Sequence, residues 1–374
     1  MDLFEIPPNR IDTHFSKSTN LASSALNSKL LSCSDQFFAA ASNLLTPTAP
    51  IHRPGVFVHT GAWYDGWETR RHNPQPYDWA VIQLGVGSGV VEGIEIDTAY
   101  FVGNYGEQVL VEGTYIAPND KNNNDNNTDA NEDVTRPEYK HWTTILPLQR
   151  CGPSQRQAWA LSKPTAPLTH VRVRMYPDGG FARARLYGHA IPPALPPAIS
   201  ASSHPHDLPL EELSSALFGA VVTAASDQHY TPASNILLPG RGVNMGDGWE
   251  TARSREPGHV DWAIVRLGVR GSVEKVVVDT KDFRGNFPRA VMVHGIEYRA
   301  ADGGEEEDPA HDNPAWMELV RGERLCTADT EHVFEGEDLA AAARGVVGFT
   351  HVKLTLVPDG GVKRFRAFGR RSLH

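Results

Sequence analysis

Thr169-His170-Val171-Arg172-Val173-Arg174-Met175-Tyr176-Pro177-Asp178-Gly179-Gly180 reads as a β-strand running into a tight turn. From Val171 to Met175 apolar and charged side chains alternate, and a period of two puts them on opposite faces of a strand. Pro-Asp-Gly-Gly then supplies turn chemistry, because proline presets φ and glycine accepts a positive one. The turn feeds a second strand in which Arg183 and Arg185 share a face; both are read as facing water rather than as an anion site. Ile94-Glu95-Ile96-Asp97 alternates in the same way, and in Trp262–Leu267 one face is Ala263, Val265 and Leu267. Helical periodicity is nearly absent, with one short helix expected near Leu210–Leu217. Short strands between Gly and Pro turns predict an all-β protein of sandwich or jelly-roll type.

The opening stretch returns later in the chain, as Thr350-His351-Val352 and Pro358-Asp359-Gly360-Gly361, followed by Arg364 and Arg366. Asp65-Gly66-Trp67-Glu68-Thr69 returns as Asp247-Gly248-Trp249-Glu250-Thr251, and Leu84-Gly85-Val86 as Leu267-Gly268-Val269. Asp97-Thr98 with Phe101, Gly103 and Asn104 returns as Asp279-Thr280 with Phe283, Gly285 and Asn286. Ser34-Asp35-Gln36 matches Ser226-Asp227-Gln228, and Asp78-Trp79-Ala80 matches Asp261-Trp262-Ala263. Order is kept throughout, which identifies a tandem duplication. A first domain is expected over 15–191 and a second over 210–374, joined by a Pro-rich linker at 192–209. Each repeat carries a polar insertion at the same place, Asn119–Asp133 and Ala301–Asn313, expected to be solvated surface without site residues.

Composition narrows the function. The 374 residues carry 45 acidic side chains against 35 Lys and Arg, a net charge of −10. That balance disfavours nucleic acid and anionic membrane surfaces as partners. No run approaches the ~18 apolar residues of a membrane span, and Met1–Asn20 lacks an apolar signal core. Cys33, Cys151 and Cys326 are far apart and odd in number, which fits a reducing compartment. Ser372-Leu373-His374 does not match the Ser-Lys-Leu peroxisomal address. A cytoplasmic location is expected.

Two groups of residues are candidates for chemistry. Glu68 with Arg71, and Glu250 with Arg253, form either structural ion pairs or a proton-transferring carboxylate beside a guanidinium that clamps a substrate carboxylate. Asp97, Thr98 and Asn104, and their counterparts Asp279, Thr280 and Asn286, either cap a turn or form a polar cluster for a ureido group. His170 and His351 are read as structural. His204-Pro205-His206-Asp207 has a metal-like look, but its spacing matches no standard zinc site. No cofactor and no metal is expected. P-loop, GxGxxG, GxSxG and HExxH signatures are missing from the sequence.

Taken together, Asp65-Gly-Trp-Glu-Thr-Arg-Arg71, the Asp-Trp and Leu-Gly elements, and Asp-Thr-x-x-Phe-x-Gly-Asn, repeated in both halves from about Ser34 to Gly369, resemble allantoicase. A weaker likeness links the same pattern to galactose-binding-like, discoidin-type sandwiches. The first resemblance implies two jelly-roll domains, a homo-oligomer, and a hydrolase acting on carbon–nitrogen bonds of linear amidines. Its reaction would convert allantoate to ureidoglycolate and urea in purine breakdown. On that reading Glu68, Asp97, Glu250 and Asp279 move protons and orient water. Arg71, Asn104, Thr98, Arg253, Asn286 and Thr280 would hold the substrate. The other class open to this fold is a non-catalytic tandem sandwich that binds a carbohydrate or protein partner; the missing signal segment and disulfide framework tell against it. The chain departs from the pattern in its Asn-rich insertion, and the repeats differ where Arg70-Arg71-His72 faces Ala252-Arg253-Ser254.

Overall fold

The computed structural model describes residues 2–117, 133–195, 208–299, 308–346 and 348–372. The His204–Asp207 cluster, most of the linker and most of the two polar insertions lie outside them. The chain divides into two compact units, Met1–Ile191 and Pro192–His374. Among the described residues no helix is long and apolar enough to cross a membrane.

In the first unit, strand Gly89–Asp97 lies between Arg156–Leu161 and Arg183–Ala190, with Leu3–Ile6 and Thr19–Asn20 at the sheet's edges. The opposing sheet runs in the order Thr143–Arg150, Gln108–Thr114, His170–Tyr176, Asp78–Gln83, Lys29–Cys33. All pairings in both sheets are antiparallel. Val173 sits opposite Ala80 on one neighbour and Val111 on the other, and all three are buried. The alternation therefore does bury one face, as a sandwich requires.

The charged face of that strand is covered as well. Arg172 and Arg174 close on Glu112 at 2.7 and 2.9 Å. The Arg172 guanidinium lies over the Trp142 ring and that of Arg174 over Tyr77. On the other sheet, segments ahead of residue 15 join the unit: Ile6, Ile11 and Phe15 pack on Ala158 and Ala160, and Phe15 stacks on Tyr187.

The second unit repeats the plan. One sheet runs Glu211–Glu212, Arg364–Gly369, Lys275–Asp279, Glu331–Glu335. The other runs Val221–Ala225, Asp261–Gly271, Phe349–Val357, Ala290–Ile296, Met317–Glu318.

Three local expectations need correction. The helix near Leu210–Leu217 is absent: Glu211–Glu212 pairs with the last strand, and only the 3-10 turn Ala216–Phe218 follows, capped by Ser215. Edge pairing, reinforced by the Glu211–Arg371 and Glu212–Arg366 ion pairs, overrides local propensity. Arg183 does not face water; it is fully buried. Its guanidinium donates to the carbonyls of Thr48, Asp65 and Ala182 and to the Asp65 carboxylate. Arg364 does the same with Asn235, Gly240, Asp247 and Lys363 carbonyls. Loop oxygens converge there, and a fixed cation satisfies them. Finally, Asp308 in the acidic insertion is not solvated surface, because its carboxylate lies 3.2 Å from His351 Nε2 with a side chain only 10% exposed.

Candidate active site

The repeated motifs meet at one end of each sandwich. Asp97 ends its strand, and its Oδ1 accepts the Ala99 amide at 2.8 Å; Asp279 accepts Lys281 at 2.9 Å. The Thr98 hydroxyl donates to the Gly152 carbonyl and that of Thr280 to Thr327. Phe101 and Phe283 then close the turn onto the Thr98 and Thr280 carbonyls at 2.9 and 3.0 Å. These phenyl rings are fully buried and lie where Cβ atoms on Gly66 and Gly180, or on Gly248 and Gly361, would collide with them. Gly in the DGWET element and the second Gly of PDGG are thus needed for one aromatic contact. The turn continues to Asn104 or Asn286.

Trp67 and Trp249 are buried, with Nε1 donating to the carbonyls of Asp35 and Asp227 at 2.7 and 2.8 Å. The Asp35 carboxylate accepts the Arg70 amide, and that of Asp227 the Ala252 amide. Ser34 and Ser226 hydroxyls donate to Asp78 and Asp261, both at 2.7 Å. The Ser-Asp-Gln motif is therefore a bracket that orients the strand bearing Glu68 or Glu250. Sequence reading noted its recurrence but gave it no role.

Glu68 lies in the short pair Trp67–Glu68 with Gly180–Phe181. It is 7% exposed, and its Oε1 accepts the Asn104 side-chain amide at 2.8 Å. Burial pushes its carboxyl pKa up, against the opposing pull of the Asn104 amide and the Arg71 charge. Arg71 pairs with Asp178 at 3.4 Å rather than with Glu68, and donates to the Gly103 carbonyl at 3.2 Å. Asp178 also accepts the His72 amide at 2.8 Å, where the backbone has φ +57°. The PDGG aspartate thereby holds the Arg71 loop, a role hidden behind its turn chemistry. Its recurrence as Asp359, which accepts the Ser254 amide at 2.8 Å, was the available signal.

Glu68, Asn104, Arg71 and Asp178 thus form one polar cluster, with Arg71 reaching the surface. Glu250 and Asn286 repeat its central bond, while Arg253 is exposed and pairs with no described residue. Asp97 and Thr98, with Asp279 and Thr280, lie underneath as braces. Asp279 is also held by both arms of Arg241, at 2.8 and 2.9 Å, a clamp particular to the second unit. Among the described residues, no three His, Cys, Asp or Glu side chains come together as a metal cage.

Fold and site together define a duplicated jelly-roll protein whose repeated feature is a glutamate carboxyl bound to an asparagine amide, buried in the first repeat and half-buried in the second. The family model described as an allantoicase repeat matches residues 19–191 and 211–372. The chain is 48% identical to an allantoicase of Neurospora crassa over 370 residues, covering 97% of this chain and 94% of that one. It is 43% identical to the Saccharomyces cerevisiae allantoicase over 360 residues, covering 94% of each. The crystal structure of the S. cerevisiae allantoicase superposes with a TM-score of 0.78 at 38% identity, covering 98% of this chain and 100% of that one. The chain belongs to the allantoicase family.

Proposed function

We propose that this protein hydrolyses allantoate to ureidoglycolate and urea. The observation that carries the site assignment is the buried Glu68 carboxyl bonded to Asn104 beside Arg71, with its central bond repeated at Glu250 and Asn286. Allantoate has one carbon bearing a carboxylate and two ureido groups. Cleavage of one C–N bond needs a proton on the departing nitrogen and a water oxygen on the carbon. Glu68 supplies the proton, since burial keeps its carboxyl protonated to higher pH than an ordinary glutamate. Water then adds at the carbon and returns a proton to Glu68, so atoms and charge balance. Arg71, 39% exposed, turns from Asp178 to take the substrate carboxylate bidentately. Asn104 orients a ureido arm while holding Glu68. Asp97, Thr98, Asp279 and Thr280 act as positioning residues beneath the loop.

Urea release from purified protein tests the assignment. Glu68→Gln with Glu250→Gln should lower turnover by about 10²–10⁴-fold, the usual worth of a general acid, with the fold retained. Full activity in that double variant would sink it. No metal enters this scheme, so turnover should survive a chelator; loss that a divalent ion reverses would overturn the carboxylate mechanism.

Location and assembly are part of the same proposal: a cytoplasmic homo-oligomer. Three free cysteines fit a reducing compartment, and burial pushes the Cys151 and Cys326 thiols up to about 12 and about 11. Light scattering on the purified chain tests assembly. The binding-module reading would require ligand-dependent stabilisation without urea.

A further inference from the structure

Strand Phe349–Val357 has a second end. Beyond its C-terminus lie the Pro358–Gly361 turn and the Glu250 cluster; near its N-terminus Thr350 and His351 line a cavity of about 400 Å³. From His351 to Pro358 the chain spans roughly 23 Å at ~3.3 Å per residue, so the cavity is a separate site. Arg266, Arg270 and Arg299 line it, together with Tyr298. His351 is 5% exposed and is fixed through both ring nitrogens, by Thr350 Oγ1 at 2.9 Å and Asp308 Oδ1 at 3.2 Å. Asp308 also lies 3.7 Å from Arg266, and Glu297 holds both Arg270 and Arg299. These carboxylates set the cations in place before any ligand arrives, which lowers the ordering cost of binding.

The duplication provides an internal control. Arg266 stands opposite His351 as Gln83 stands opposite His170. Ile296 stands opposite His351 as Thr114 stands opposite His170, which makes Ile116 and Ala117 the counterparts of Tyr298 and Arg299. Arg270, after Leu267-Gly268-Val269, corresponds to Gly87 after Leu84-Gly85-Val86. The first unit has a cavity of about 680 Å³ at the same end, lined by Thr114, Ile116, Tyr139, His141 and Thr144 among others, with no Arg or Lys among the described residues of its wall. The fold therefore stands without arginines at these positions, which hold Gln83, Gly87 and Ala117 in the first unit. The arginines of the second unit answer to something else.

We propose that the second unit's cavity binds a small organic anion, a carboxylate or a phosphate ester, between Arg266 and Arg270 with Arg299 at the side. Arg suits such groups through its planar fork of donors. The test is calorimetric titration of the full chain with malonate and, separately, inorganic phosphate, at constant ionic strength against sodium chloride. Saturable binding of malonate alone assigns a carboxylate ligand, and of phosphate alone a phosphate ester. Arg266→Gln with Arg270→Gly, the residues of the first repeat, should weaken that binding at least tenfold and leave urea release unchanged. Glu68→Gln with Glu250→Gln should do the reverse, so failure here is distinguishable from failure of the proposed reaction. If the double arginine variant does not fold, Arg299→Ala, on an exposed side chain, should still weaken binding several-fold. Absence of saturable binding to the wild type, or binding unchanged in the arginine variants, overturns the proposal.

Discussion

At the scale of single residues, two side chains decide most. Burial pushes the Glu68 carboxyl pKa up, and the Asn104 amide pulls the other way by donating to the carboxylate. Asn104→Leu removes that pull, so the Glu68 pKa should rise further. The limb of the kcat/KM profile set by Glu68 should move to higher pH, and a pH series on the variant checks it. Stability follows the same sign. Because the folded pKa is raised, the Glu68 contribution is present while the carboxyl is protonated and fades as pH rises through the folded pKa. Glu68→Gln should flatten that dependence in denaturant titrations. Arg183 decides in another way: a fully buried guanidinium anchors three carbonyls and a carboxylate. Arg183→Met strands those oxygens, and a loss of about 3–5 kcal/mol is expected in urea unfolding.

Among elements, the turns matter more than the strands. Asp-Gly-Trp-Glu-Thr, Asp-Thr-x-x-Phe and Pro-Asp-Gly-Gly meet at Phe101, and a Cβ on Gly180 would stand 2.1 Å from that ring. Gly180→Ala should cost about 1–3 kcal/mol as overpacking. It should also slow turnover, because the displaced ring carries the loop that ends in Asn104; thermal melts and urea assays would show both. The strands were legible from alternation, since Val171, Val173 and Met175 had to share a face. The helix near Leu210–Leu217 misled because two glutamates gained an edge pairing and two arginine partners that no local pattern displays.

For the whole molecule, the duplication is old enough to have diverged. In the first unit Arg71 is braced by Asp178 and the Gly103 carbonyl, while Arg253 is exposed and pairs with no described residue. The first cluster is thus the better organised for a carboxylate-bearing substrate. Glu68→Gln alone should cost more than tenfold in urea release, whereas Glu250→Gln alone should retain over half. Equal losses would mean two equivalent sites.

The sequence by itself determined that there are two repeats, that each is built of strands, and that Glu68 and Glu250 stand in repeated motifs. Period-two alternation and conserved order are local properties and survive without coordinates. Tertiary structure decided which of those motif residues touch. It placed Asn104 on Glu68 and Asp178 on Arg71, set Asp97 and Thr98 beneath them, buried Arg183 and tied Asp308 to His351. Those outcomes depend on which loops converge at the end of a sandwich. Convergence is set by sheet pairing between segments far apart in the chain, such as Trp67–Glu68 with Gly180–Phe181, where local pattern carries no information.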